Sequence, residues 1–334
     1  PMASTHTVAV TGATGFVGRA IVRELVARGH SVRALIRDRD KARRVLPPFG
    51  PGASVQVVQG DVLEPGIVDE LLTGATACIN LIGIIREVRG VAAGRAITFR
   101  KAHVESVRSL VAGCESRGVR RFIQMSALGA NPNGVSEYQK TKFEGEMIVR
   151  LSTLDWTVFR PGLIHGPDGE FTKMMKSMIV GEAPPYLFVP YFTRGQEDKR
   201  VPLGPVIQHD PRVQPIAVED VAAAFAAALE NPASIGEVYN LVGSEAMDWP
   251  ALIRVMRDKL DAGNIEPFGI PAEAAAGASL AAGKLGFASL LPFDEGMARM
   301  GAQDATADLT KVREDLGISP RGFHETFAAY AGAM

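Results

Sequence analysis

Nine residues near the amino end, VTGATGFVG at 10–18, constrain the fold of this chain more than any other stretch. They follow HTVAV at 6–10, a short β-branched and apolar run suited to a buried strand. They lead into FVGRAIVRELVARGH, where Val17, Ile21 and Leu25, with Ala20 and Val26, recur at helical spacing before Gly29 as a C-terminal stop. The glycines therefore sit in a tight turn from strand to helix. There Gly12 permits the turn, Gly15 lets the backbone approach a ligand, and Gly18 lets the helix pack close to the strand. With Thr14 between them, these residues leave unpaired N–H groups and the positive end of a helix dipole facing the gap, which is what a pyrophosphate requires.

The rest of the first half repeats the theme. SVRALIR from Ser31, SVQVVQGD from Ser54, ATACINLIG from Ala75, RRFIQMSA from Arg120 and DWTVFRPG from Asp155 read as strands. Between them lie helical segments such as 99–117, with an apolar seam at Ala102, Val107, Leu110, Val111 and Cys114. Strand alternating with helix predicts an α/β fold, a Rossmann-type doubly wound parallel sheet followed by a smaller C-terminal substrate lobe. The expected division is a dinucleotide-binding unit over 1–166, rejoined by 215–243, and a substrate or lid lobe over 167–214 and 244–334. A net charge of −1 gives no electrostatic case for nucleic acid. Two cysteines, Cys78 and Cys114, are too few for a disulfide framework, so a reducing cytoplasm is expected. No apolar run reaches the roughly 20 residues needed to span a bilayer, and AAAGASLAAGKLGFASLLPF at 274–293 reads as packed small-residue helix.

An NAD site usually offers an acid about 20 residues beyond the first glycine motif, to accept from the ribose 2′-hydroxyl. Here that position is Arg37, with Arg39 and Lys41 close behind, so the sequence favours NADP (NADPH) over NAD. Asp38 argues the other way, since a shift of one residue at the strand end would present its carboxylate to a 2′-hydroxyl. Asp61 and Val62, after the third strand, are placed to border the adenine. A second constellation lies in SALGANPNGVSEYQKTKFEGE at 126–146. Ser136 and Gln139 form a capping-box pattern that starts a helix just before Tyr138. Tyr138 and Lys142 are then four apart on one helical face, where an ammonium beside a phenol is expected to lower the phenol's pKa and prepare it for acid–base work. Ser126 ends the fifth strand at the same carboxyl edge, placed to hold a substrate oxygen.

Taken together, TGATGFVG, Ser126 and YQKTK resemble the short-chain dehydrogenase/reductase superfamily, in its extended or atypical branch. CINLIGIIRE, TFRKAHVESV, MSALGA, FRPGLIHGPD, VQPIAVEDVAAA and GEVYNLVG narrow the resemblance. They look like the subgroup typified by the NADPH-binding accessory subunit 9 of the mitochondrial complex I alpha subcomplex and its bacterial homologues. By position, the resemblance implies that Gly12, Gly15, Phe16, Val17 and Gly18 cradle the pyrophosphate and that Arg37 contacts the adenosine phosphate or ring. It implies further that Leu81, Ile82 and Gly83 line the ribose, that Pro161 and Gly162 lie near the nicotinamide, and that Tyr138 and Lys142 form the catalytic pair, Lys142 also binding the nicotinamide ribose. One departure stands out. Members of the superfamily place an Asn in the fourth helix to support a proton relay, and here the alignment puts His103 or a neighbour there. His165, in LIHGPD, reads as a shaper of the loop after the sixth strand.

Beyond Pro167 the alternation breaks down. MMKSMIVGEAPPYLFVPYF at 174–192 is apolar and aromatic, which suits a hydrophobic substrate, and TRGQEDKRVPLGP at 193–205 reads as a polar connecting stretch. The final third is expected to contribute helices, with Trp249 and Phe323 as core anchors and no metal motif. Three functions fit these features. One is an NADP-dependent oxidoreductase acting on a small molecule through Tyr138, Lys142 and Ser126. The second is an accessory or assembly protein holding a structural NADPH, peripheral to a respiratory membrane complex. The third is a nucleotide-sugar epimerase or dehydratase.

Overall fold

Successive residues of a strand face opposite sides of its sheet, and the first strand shows it: Val8 and Val10 enter one apolar core while Ala9 enters another. The protein is described by a computed structural model over residues 5–88, 96–197, 205–285 and 293–334. In its first half, β1 (Thr7–Thr11), β2 (Ser31–Ile36), β3 (Val55–Gln59), β4 (Ala77–Asn80), β5 (Arg121–Met125) and β6 (Asp155–Pro161) alternate with helices. The helices are α1 (Phe16–Ala27), α2 (Arg39–Val45), α3 (Ile67–Leu72), α4 (Ser106–Arg117) and α5 (Glu137–Arg150).

After β6 come β7 (Ile164–His165), α6 (Glu170–Ile179), β8 (Phe188–Glu197), β9 (Val206–His209), β10 (Arg212–Val213), β11 (Ile216–Ala217) and α7 (Val218–Glu230). The chain continues through β12 (Glu237–Leu241), β13 (Met247–Asp248), α8 (Trp249–Lys259), β14 (Glu266–Pro271), α9 (Ala272–Lys284), α10 (Glu295–Gly301), α11 (Thr310–Leu316) and α12 (Phe323–Ala331). The central sheet is parallel throughout, in the order β12-β6-β5-β4-β1-β2-β3. One face buries residues of α1, α7 and α11, the other those of α3 and α4, so both sides of the sheet are covered as a parallel sheet requires. Strand order reverses between β1 and β4. Ligands of such sheets bind at that reversal, beyond the carboxyl ends of the strands.

A third apolar cluster joins α6, α8 and α12 with Val189 and Val213, and a fourth joins α9 and α10 with Phe192, Ile270 and Phe293. One expectation for this half needs correction. Residues 193–197 are not a polar connection but the end of β8, which pairs antiparallel with β9, because Thr193 bonds Gln208 across the strands and gives the polar run partners. The final third contributes helices α8 to α12 and also β14, which pairs parallel with β8, its Phe268 opposite Pro190. Phe323 is fully buried, whereas Trp249 is only partly so. Residues 198–204 of the polar stretch and 286–292 of the small-residue stretch lie outside the described residues; α9 accounts for 272–284.

Candidate active site

The glycine turn occupies the reversal point. Gly12 has φ +69°, a conformation that costs other residues strain, and a Cβ there would lie 3.0 Å from the backbone carbonyl of Leu81. A Cβ on Gly18 would lie 2.1 Å from the Gly12 oxygen, so α1 can only approach the turn this closely with glycine at that point. Gly15 is the residue before the helix and has no side chain to occupy its first amides, while Thr14, Phe16 and Val17 complete the turn. The Phe16 ring turns away toward Gly166 and Gly169, with the Arg19 guanidinium 5.8 Å from its centre. A bare helix N-terminus at the switch point fits a dinucleotide phosphate.

Arg37, Asp61, Leu81, Ser126 and Gly162 follow the carboxyl ends of β2, β3, β4, β5 and β6. Arg37 is exposed at the end of β2. The Asp38 carboxylate caps α2 by accepting from the Lys41 amide at 2.9 Å, and those backbone hydrogen bonds hold it below the ordinary carboxylate range. Asp61 likewise bonds the Leu63 amide, and Val62 is buried in the core. Leu81 is buried beside Gly12, Ile82 packs partly on the core, and Gly83 is exposed. Beyond β5, Ser126 and Leu128 donate from their amides to the carbonyls of Phe159 and Pro161 at 2.7 and 2.8 Å. Ser126 thus lies alongside Pro161 and Gly162.

The Ser126 hydroxyl is the most informative atom here. It is buried without a hydrogen-bond partner, one of two such side-chain atoms among the described residues, the other being Trp249 Nε1. A buried hydroxyl left unpaired costs free energy, which a ligand oxygen at that point would recover. Lys142, only 5% exposed, donates its ammonium to the Met125 carbonyl at 3.3 Å, next to Ser126 in the chain. Its Nζ also lies 2.8 Å from where a Cβ on Gly83 would be, and 6.0 Å from the centre of the Tyr138 ring.

The capping box is half as expected. Ser136 accepts from the Gln139 amide at 3.2 Å, but Gln139 Oε1 reaches back to the Val135 amide, one residue before the cap, and its Nε2 bonds Gln303. The expected electrostatics of the pair are corrected more deeply. Burial pushes the Tyr138 phenol up to about 12 rather than down, and burial lowers the Lys142 ammonium to about 8. At 6.0 Å from the ring, the ammonium does not offset the loss of water around the phenol.

His103, which the family alignment sets at or beside the expected Asn, lies in a π-helical turn, Lys101–Glu105, ahead of α4. Such wide turns concentrate at functional sites. His103 Nδ1 is 2.9 Å from Thr141 Oγ1, its Nε2 is 3.1 Å from the Ile84 backbone, and its ring meets Tyr138 edge-on at 5.4 Å. Burial first, and the Lys142 charge second, lower its pKa to about 2, so it stays neutral and braces the loop after β4. His165 bonds Tyr330 at 2.9 Å and Thr326 at 3.2 Å, tying β7 to α12. Cys78 is buried in β4.

Sequence reasoning passed over Asn80 and Gln124. Both are buried polar residues inside apolar strands, and that mismatch was the available signal. Thr11 donates to Asn80 Oδ1 at 2.6 Å, Asn80 Nδ2 donates to Gln124 Oε1 at 2.9 Å, and Gln124 Nε2 donates to the Met125 carbonyl at 2.9 Å.

The sequence profile of the NAD(P)H-binding family matches residues 12–179. A ceramide reductase of Caulobacter vibrioides is 31% identical over 227 residues, 67% of this chain and 61% of that protein. The mitochondrial NADH dehydrogenase [ubiquinone] 1 alpha subcomplex subunit 9 of Arabidopsis thaliana is 30% identical over 254 residues, 75% of this chain and 57% of that one. The matched chain thus spans less than two thirds of either relative's length. Among solved structures, gox2253 superposes with a TM-score of 0.71 at 23% identity, covering 98% of this chain and 97% of that one, a likeness of fold.

Proposed function

The chain belongs to the NAD(P)H-binding family, and from that premise we propose that it is an NADP-dependent reductase acting on a carbonyl group of a largely apolar substrate. The observation that carries the reading is the orphaned Ser126 hydroxyl beside the Lys142 ammonium, at the carboxyl edge of the sheet. A bound nicotinamide supplies hydride at its C4 position. This chain's residues handle the oxygen and the proton. Ser126 donates a hydrogen bond to the substrate oxygen, and Tyr138, whose phenol keeps its proton at neutral pH, donates that proton as negative charge develops there. Lys142 supplies positive charge close by and, in this reading, holds the nicotinamide ribose.

NADP is favoured because Asp38 is committed to capping α2, while Arg37 stands exposed at the strand end to meet a 2′-phosphate. An apolar substrate is supported by Ile85, Val88 and Val135, which are 55%, 49% and 41% exposed and lie on the two segments flanking Gly83 and Ser136. In this reading residues 1–166 with 215–243 carry the dinucleotide, and 167–214 with 244–334 form the substrate lobe.

The test uses NADPH deuterated at C4, each face in turn, incubated with the protein and a lipid and small-molecule extract. Deuterium should appear in a reduced product by mass spectrometry, and Tyr138→Phe should slow its appearance by roughly 10²–10⁴-fold with NADPH affinity nearly unchanged. Unaltered transfer in that variant would remove Tyr138 from its role. A second reading rests on the similarity to subunit 9 over 75% of the chain: a structural NADPH in an accessory protein of a membrane complex. Tight NADPH binding with no label transfer, and co-purification with a membrane assembly, would select it.

A further inference from the structure

We infer that Gln124 is a positioning residue for Lys142, acting through the Met125 carbonyl as the last link of a one-way chain of buried hydrogen bonds that begins at the glycine turn. The inference rests on the reductase reading for the purpose of that lysine, but its geometry stands apart from it.

The direction of the chain is fixed at its end by chemistry alone. A peptide carbonyl only accepts and an ammonium only donates, so Met125 O must receive both the Lys142 ammonium at 3.3 Å and the Gln124 amide NH₂ at 2.9 Å. Gln124 therefore turns its carbonyl to Asn80, which must offer its own NH₂ at 2.9 Å. Asn80 Oδ1 is left to accept from the Thr11 hydroxyl at 2.6 Å and the Ile82 amide at 3.2 Å. No amide in the series can flip alone without setting two donors or two acceptors face to face. Thr11, Asn80 and Gln124 are at most 3% exposed, so water cannot repair such a fault cheaply. Thr11 immediately precedes Gly12, and Ile82 immediately precedes Gly83, which the Lys142 ammonium overlies. The chain thus runs beneath the edge of the sheet from the phosphate-binding turn to the lysine.

An ordinary account of these amides is that they knit β1, β4 and β5 together. That account predicts a loss of stability on substitution and, for a new charge nearby, only the through-space shift of Lys142 that the charge gives whether or not Gln124 is present. Positioning predicts that Lys142 itself responds. In Gln124→Glu the link to Asn80 survives, but a carboxylate oxygen replaces the NH₂ beside Met125 O and draws the ammonium toward it.

The experiment follows the ¹³Cε resonance of Lys142 through a pH titration of the apo protein labelled with [¹³C]lysine, the signal assigned by its loss in Lys142→Met. Gln124→Glu should raise the Lys142 midpoint by at least about one pH unit, the effect of an opposite charge at such a distance. An unchanged midpoint in a folded variant overturns the inference. As a second arm, Asn80→Asp is compared alone and in a Gln124→Leu background. The new charge shifts Lys142 through space in both, whereas a shift carried by the flipped Gln124 amide is present only when Gln124 is. Equal shifts in the two backgrounds overturn the inference even if Gln124→Glu fails to fold. An Asn80→Asp shift that is larger with Gln124 present than in the Gln124→Leu background upholds it whether or not label transfer from NADPH is ever found, so the fate of the reductase reading is decided separately.

Discussion

Lys142 illustrates how far a residue's neighbours can be from what its motif suggests. The spacing of Tyr138 and Lys142 on one helical face was legible because it depends only on helical periodicity. Their ionisation was not, because burial is a property of the whole assembly around α5, and burial decided the direction for both. The same limit hid Gln124 and Asn80, whose partners come from strands up to 69 residues away in the chain. A measurable consequence follows for Lys142. Its folded pKa of about 8 lies below the value near 10.5 of the unfolded chain, so between these limits the unfolded chain binds more protons and stability rises with pH. Below pH 8 the buried charge destabilises the fold in full. Lys142→Met should therefore be more stable than the natural chain at pH 7, by on the order of 2–3 kcal/mol, with the advantage shrinking by pH 9.5. Urea unfolding midpoints at the two pH values measure this. Equal midpoints at pH 7 would mean that the lysine is not held in a buried, water-poor site. Above pH 10 Tyr138 works in the opposite sense, since its raised pKa gives stability that is lost as pH climbs from 10 toward 12.

At the scale of elements, the six strands of the first half and the turn into α1 follow from apolar runs and glycine placement. The wide turn ahead of α4 does not, because the seam at Ala102, Val107 and Leu110 suits an unbroken helix equally well. A close neighbour of that turn comes from elsewhere in the chain. A Cβ on Gly145 of α5 would stand 2.1 Å from the His103 carbonyl, so the two elements touch backbone to side-chain-free backbone at this point. Gly145 and Gly18 thus play matching parts, one setting α5 against the π-helical turn and the other setting α1 against the glycine turn. Gly18→Ala should push α1 off the Gly12 carbonyl and weaken NADPH binding by at least about tenfold, with a loss of stability of roughly 1–3 kcal/mol from overpacking. Titration of NADPH by calorimetry, with thermal unfolding of the apo protein alongside, separates the two effects. Wild-type affinity in a destabilised variant would show that the close contact serves packing and not the phosphate site.

For the molecule as a whole, the question is what joins the lobe built on α6, α8 and α12 to the sheet. His165 is one fastening: it sits in β7, which pairs with β11, and it reaches both Tyr330 and Thr326 of α12. The sequence shows a histidine in a loop-like setting; the partners 161 and 165 residues away are visible only in the fold. Burial lowers its pKa to about 4, Asp220 partly opposing and Arg321 reinforcing the shift, and burial with the Lys142 charge lowers His103 to about 2. In the unfolded chain both take up protons near pH 6.5. From there down to about pH 4 the unfolded state binds up to two more protons than the folded one at these sites, so stability falls as pH falls. The loss by pH 5 should be on the order of 3–4 kcal/mol, and His165→Phe should remove about half of that dependence. The two histidines differ in what they release. His103 lies against the loop after β4, whereas charging the buried His165 favours its exposure to water, away from Tyr330 and Thr326 of α12, so α12 should loosen before the sheet does. Hydrogen exchange at pH 5.5 and 7.5, corrected for intrinsic rates, should show protection lost first at the amides of residues 326–331, with β1 and β4 still protected. Simultaneous loss across the sheet and α12 would mean that the two halves unfold as one cooperative unit, with His165 buried in a common core and fastening nothing that can open by itself.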